Sequence, residues 1–78
     1  MAKADLRKSF AIVLKELRKE AGFSQQELAD YSDTERVYIS RLECGIQMPS
    51  IETIFRISEA LKKRPSEFVQ MLEKKHKI

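Results

Sequence analysis

Tryptophan is absent from this chain, and cysteine occurs once. The single thiol, Cys44, has no partner for an internal disulfide. It also lacks the Cys and His neighbours that a zinc site requires, so it reads as a neutral loop residue rather than a redox sensor. No apolar run approaches the roughly 20 residues of a membrane-spanning helix. The opening MAKADLRKSF is charged and has no apolar signal-peptide stretch. There is no glycine-rich phosphate loop, no cluster of metal ligands and no activated nucleophile, which argues against an enzyme and against a metal or cofactor. No segment alternates apolar and polar residues between turn signals, so no sheet is expected. These absences leave a small, reduced, cytoplasmic all-α protein as the class to test. At 78 residues it lies near the lower limit for folding without covalent or metal staples.

The charge present is mixed. The net value is +3, too small to make bulk attraction to a polyanion the explanation of anything. Its distribution says more. Arg7, Lys8, Lys15, Arg18 and Lys19 lie in the first helical stretch, and Lys62, Lys63, Arg64, Lys74 and Lys75 lie toward the end. Between them Glu27, Asp30, Asp33, Glu35, Glu43, Glu52 and Glu59 outnumber Arg36, Arg41 and Arg56.

The two glycines and two prolines punctuate five helical segments. The first runs from about Asp5 to Ala21, with Leu6, Phe10, Val13, Leu14 and Leu17 on one stripe and Gly22 as its stop. Ser24 and Glu27 have the spacing of a capping box and open a second helix of about two turns that ends near Ser32. Leu28 and Ala29 face inward on it. A third helix covers about Arg36 to Glu43, with Ile39 and Leu42 inward and Gly45 as terminator. Ser50 caps a fourth, IETIFRISEALK, whose apolar row is Ile51, Ile54, Ile57 and Leu61. Pro65 suits the first turn of a fifth, about 65–75, where its missing N–H costs nothing. Phe68 and Leu72 fill the core from this helix. Val69, Met71 and Phe55 are then left partly exposed, and a two-fold dimer interface is the economical use for them. His76 reads as a solvated imidazole. Helices two and three are too short to be stable alone, so packing on the other three must hold them.

The joint between helices two and three, about 25–44, has the spacing of a helix-turn-helix. Ala29 sits where only a small side chain fits, and Asp33 occupies the turn. LRKEAGFSQQELAD, YISRLECG, PSIETIFRISEAL and RPSEF follow one another in the order and spacing of the lambda-repressor/Cro-like (XRE) DNA-binding domains. The chain resembles that family from about Phe10 to Val69. Within it, the length and the run RVYISRLE look most like restriction–modification controller proteins. The chain departs from the family pattern in four places. Asp33 replaces the usual turn glycine, Thr34 a usual apolar residue and Glu35 the usual Ser/Thr cap of helix three, while Lys63-Arg64 precede helix five.

The resemblance implies a compact five-helix fold and a single DNA-binding domain over 1–78. It implies a homodimer on a roughly palindromic double-stranded DNA operator, with RNA polymerase as a further partner if Asp30 belongs to an activating face; Gln26 does not fit such a face. Helix three would enter the major groove, presenting Glu35, Arg36, Val37 and Arg41 to base edges, with helix capping the simpler role for Glu35 and a phosphate the alternative for Arg41. Arg36 has the length and planar fork to bind guanine. Gln25 would meet a phosphate at the start of helix two, and Tyr38 and Ser40 would meet others, with packing between the helices the alternative for Tyr38. Glu43 opposes the dipole at the end of helix three, and Arg18 is its implied partner. An antitoxin or another protein-interaction module on the same scaffold is the alternative.

Overall fold

The computed structural model describes residues 3–76, with side chains placed from Leu6 to His76. It contains α1 (Lys3–Glu20), α2 (Gln25–Tyr31), α3 (Arg36–Glu43), α4 (Ile51–Ala60) and α5 (Pro65–His76), and no strand among the described residues. The starts are those that the capping chemistry demands. Ser24 Oγ accepts from the backbone N–H of Glu27 at 3.0 Å, and Glu27 Oε1 accepts from Ser24 N–H at 2.8 Å. Both halves of the capping box are therefore made. Ser50 Oγ accepts from Thr53 N–H at 3.1 Å to open α4. At α5 the missing side-chain cap is replaced from the other direction, since Glu67 Oε1 accepts from Arg64 N–H at 2.7 Å.

The first four helices end alike. Gly22, Asp33, Gly45 and Lys62 all have φ between 57° and 79°. In each case the next residue's N–H reaches back to close the last turn. Phe23 N–H bonds Arg18 O, Thr34 N–H bonds Ala29 O, Ile46 N–H bonds Arg41 O and Lys63 N–H bonds Ser58 O, at 2.8–3.3 Å. This is the Schellman arrangement, which satisfies carbonyls that the helix leaves free. At Gly22 a Cβ would meet nothing within 4 Å, so the demand for glycine there is conformational alone. The two non-glycine positions differ in cost. Asp33 is a residue type that visits this region with local hydrogen-bond help, whereas Lys62 has no such aid. The left-handed Lys62 also corrects the expected end of α4, which closes at Ala60 rather than continuing through Lys62.

Phe10, Val13, Leu14 and Leu17 of α1 form the spine of the core. Leu28, Ala29, Ile39, Leu42, Ile57, Leu61 and Phe68 pack against it. The rings of Phe10 and Phe68 stack with centroids 5.4 Å apart, so α5 is seated on α1 at the centre of the molecule. α1 lies against both α3 and α5, while α4 touches α2 and α5. The Cα radius of gyration, 11.4 Å, matches the ~11.5 Å expected of a fully collapsed chain of this length. No described helix is long and apolar enough to cross a membrane.

Two further expectations need correction, at Ile51 and His76. Ile51 is 69% exposed, because as the first residue of α4 it extends the inward row past the end of the core. Met71 is partly exposed, as expected, and its buried part packs against the core. His76 is half-buried, with Nδ1 3.4 Å from the Ser9 hydroxyl of α1.

The Lys62 conformation generates a stability prediction. A left-handed L-residue costs about 1–2 kcal/mol, and a glycine there would give back about 0.5–1 kcal/mol of chain entropy. Lys62→Gly should therefore stabilise the fold by roughly 0.5–1 kcal/mol, a rise of a few degrees in Tm for a domain of this size. Thermal unfolding followed by circular dichroism reads this directly, and a lowered Tm would contradict it.

Candidate nucleic-acid interface

α2 and α3 are joined by Ser32, Asp33, Thr34 and Glu35, and each backbone feature of this joint has a local cause. Ser32 is 2% exposed, and its hydroxyl donates to Leu28 O at 2.7 Å and lies 2.9 Å from Thr34 Oγ1. The buried turn thereby satisfies its own polar groups. Asp33 (φ 57°) reverses the chain. Glu35 is the N-cap of α3 but makes no side-chain cap bond, which leaves its carboxylate directed to solvent. Ala29 and Leu28 of α2 and Ile39 and Leu42 of α3 are all fully buried. Their burial fixes the inner faces of both short helices and thus which residues face out.

A buried ion pair completes the frame. Arg18 Nε donates to Glu43 Oε2 at 2.6 Å and Arg18 Nη2 to Glu43 Oε1 at 3.0 Å. Arg18 Nη1 donates to Phe23 O at 2.8 Å. The Arg18 and Glu43 side chains are 10% and 3% exposed. Hydrogen bonding to Glu43 holds the guanidinium above the ordinary arginine range, outweighing the opposite effect of burial, and the attraction of the carboxylate adds to it. The pair expected between these two residues is therefore present, and it answers the unfavourable placement of a carboxylate at the end of α3. One contact was not expected. Gln25 Nε2 donates to Glu43 Oε1 at 3.1 Å, tying the first residue of α2 to the last of α3. Nothing in the spacing of residues 25 and 43 signals this bond, because it depends on the angle at which the helices cross.

Glu35, Arg36 and Arg41 are exposed and Val37 is 49% exposed, so all four groups expected at base edges stand on the outer surface of α3. Among the described residues none of Glu35, Arg36 and Arg41 is in an ion pair. Tyr38 and Ser40 are half-buried, and the Tyr38 ring packs against the core cluster. Gln25 lies beside α3 through its bond to Glu43, so it shares one side of the molecule with the end of that helix.

Two of the expected interface residues, Phe55 and Met71, line different grooves. Phe55, 58% exposed, lines a groove of about 540 Å³ with Glu52, Arg56, Glu59, Lys63, Arg64 and Pro65. Val69 is 40% exposed and follows one turn after Pro65 on α5. Met71 instead lines a groove of about 420 Å³ between α1 and α5, with Val13, Glu16, Lys74 and Lys75.

Against known proteins, the family model described as helix-turn-helix matches residues 14–68. The uncharacterized HTH-type transcriptional regulator y4dJ of Sinorhizobium fredii is 33% identical over 57 residues, 73% of this chain and 74% of that protein. The restriction-modification controller protein C.AhdI of Aeromonas hydrophila superposes with a TM-score of 0.77 at 34% identity, covering 80% of this chain and 94% of that one. The controller protein C.Esp1396I, solved as a tetramer in complex with its natural 35 base-pair operator, superposes at 0.83 with 30% identity over 94% of this chain and 96% of that one.

The buried pair makes a sharp contrast between two substitutions. Glu43→Ala strands the Arg18 charge and should cost about 3–5 kcal/mol, while Arg18→Met with Glu43→Leu removes both charges and should be close to neutral, within about 1 kcal/mol. Chemical denaturation of both variants checks the order; equal losses would show that the pair itself, and not the stranded charge, sets the cost.

Proposed function

Because this chain belongs to the helix-turn-helix family, we propose that it is a sequence-specific DNA-binding transcriptional regulator acting as a homodimer on a roughly palindromic operator. In this reading residues 1–78 form one helix-turn-helix DNA-binding domain that works in the cytoplasm. The observation that carries the reading is the division of α3. Ile39 and Leu42 are fully buried while Glu35, Arg36, Val37 and Arg41 stand outside, on a helix fixed to the rest of the protein by Ala29 and the Arg18–Glu43 pair. Such a helix enters a major groove with a rigid set of side chains. Arg36 reads guanine through O6 and N7, Val37 meets a thymine methyl, Arg41 reaches a base or phosphate and Glu35 accepts from cytosine. Gln25, Tyr38 and Ser40 set the register on phosphates, which carry no sequence information.

The likeness to two restriction–modification controllers supports the narrower role of controlling restriction–modification genes. Val69 and Met71 of α5, with Phe55 of α4, supply the dimer contact. Asp30 is exposed on α2 and is held by Gln26 Nε2 at 2.9 Å. It offers an acidic contact to RNA polymerase when the operator adjoins a promoter.

Selection of bound sites from random DNA is the primary test, and failure to enrich any sequence would end the reading. On the selected site, Arg36→Ala should cost about 1–3 kcal/mol and relax the preference at one position of each half-site, about one DNA turn apart. Titrations against single-base variants check this; uniform weakening with an unchanged preference would move the direct contact to Arg41. For the dimer, Phe55→Glu with Val69→Glu should give a folded monomer in sedimentation. A wild-type chain that is monomeric at high micromolar concentration would refute the interface.

A further inference from the structure

We infer that Glu43 is a positioning residue for DNA: it orients the Gln25 carboxamide for a backbone phosphate. This rests on the DNA-binding reading above. A primary amide carries two N–H donors and one oxygen acceptor. Beside the Glu43 carboxylate the nitrogen must face inward, because the amide oxygen in that place would oppose another oxygen. One Gln25 N–H is thereby used on Glu43 Oε1 at 3.1 Å. The amide is planar, so fixing one N–H fixes the direction of the other and leaves that donor free. The anchor is itself held by hydrogen bonds. Arg18 grips both Glu43 oxygens at 2.6 and 3.0 Å and is held in turn by Phe23 O at 2.8 Å. With its side chain 3% exposed, Glu43 does not meet DNA; it acts through Gln25.

The consequence is preorganisation. An immobilised side chain binds without first losing its rotamer freedom, a gain of about two- to tenfold in affinity. The phosphate contact itself contributes roughly tenfold. Both effects fall equally on every operator variant.

The test is a double-mutant cycle in DNA affinity on the site selected by the wild-type chain. Gln25→Ala is introduced into the wild type and into Arg18→Met/Glu43→Leu, which removes the anchor without stranding a charge. Gln25→Ala should cost about tenfold in the wild type and distinctly less where the anchor is gone. The anchor-less variant should lose about two- to tenfold across all single-base variants alike. If Gln25→Ala costs the same in both backgrounds, the ion pair is structural only and the proposal is overturned. If the anchor-less variant does not fold, side-chain amide relaxation by NMR on the wild-type chain decides. An ordered Gln25 amide is expected beside a mobile one at exposed Gln70; equal mobility overturns the proposal. A wild-type chain that selects no site removes the DNA-binding reading, and this inference with it.

Discussion

The Arg18–Glu43 pair joins α1, the loop before α2 and the end of α3 in a single set of hydrogen bonds. α2 and α3 are only 7 and 8 residues long, too short to persist in water without tertiary support. Hydrophobic burial draws them in through Leu28, Ala29, Ile39 and Leu42 but fixes no direction along their axes. The ion pair does. It ties the last residue of α3 to α1, to the carbonyl of Phe23 in the loop before α2, and through Gln25 to α2 itself. A directional, bidentate contact in a dry setting tolerates little sliding, so one carboxylate links two short helices to a third.

The remaining surface divides by chemistry. One side carries the free ends of Arg36 and Arg41 on α3. The α4–α5 side carries exposed Ile51 and Phe55, flanked by the Glu52–Arg56 pair at 3.1 Å. An exposed ion pair of this kind adds little stability, but it frames an apolar strip with groups that remain wet. The aromatic pair Phe23–Tyr31, with centroids 5.0 Å apart, covers the junction of the α1–α2 loop with the end of α2. It contributes packing where the core row has run out.

Much of this was legible from residue order. The stripe of α1, the capping box at Ser24, the Ser50 cap, Pro65 at the head of α5 and the left-handed Asp33 are local features with local causes, and they appear where the pattern places them. The errors arose where a local rule met a global boundary. Ile51 obeys the period of α4 but lies beyond the reach of the core. Lys62 continues a helical pattern, yet the chain needs a reversal before α5, and the packing imposes it on a residue with no propensity for it. Met71 and Phe55 looked equivalent as surplus apolar groups, whereas the crossing of α1, α4 and α5 sends them into different grooves. The Gln25–Glu43 bond could not be read at all, since it joins two helices and depends on how they cross. For the interface itself, the sequence identified which α3 residues face outward because Ile39 and Leu42 fix the helical phase. What those outward residues touch is set by the partner and not by the fold.

The separation between the inner and outer faces of α3 has an evolutionary consequence. The side chains of residues 36, 37 and 41 make no hydrogen bond or ion pair in the frame, so exchanging them leaves the energies that hold the helix nearly untouched. Surface changes away from such features usually shift stability by less than about 0.5 kcal/mol, and distant ones add independently. A duplicated copy of this gene can therefore explore new recognition surfaces without first accumulating compensating changes in its core. Under that freedom, paralogues are expected to diverge fastest at these outward positions while Arg18, Ala29 and Glu43 stay fixed.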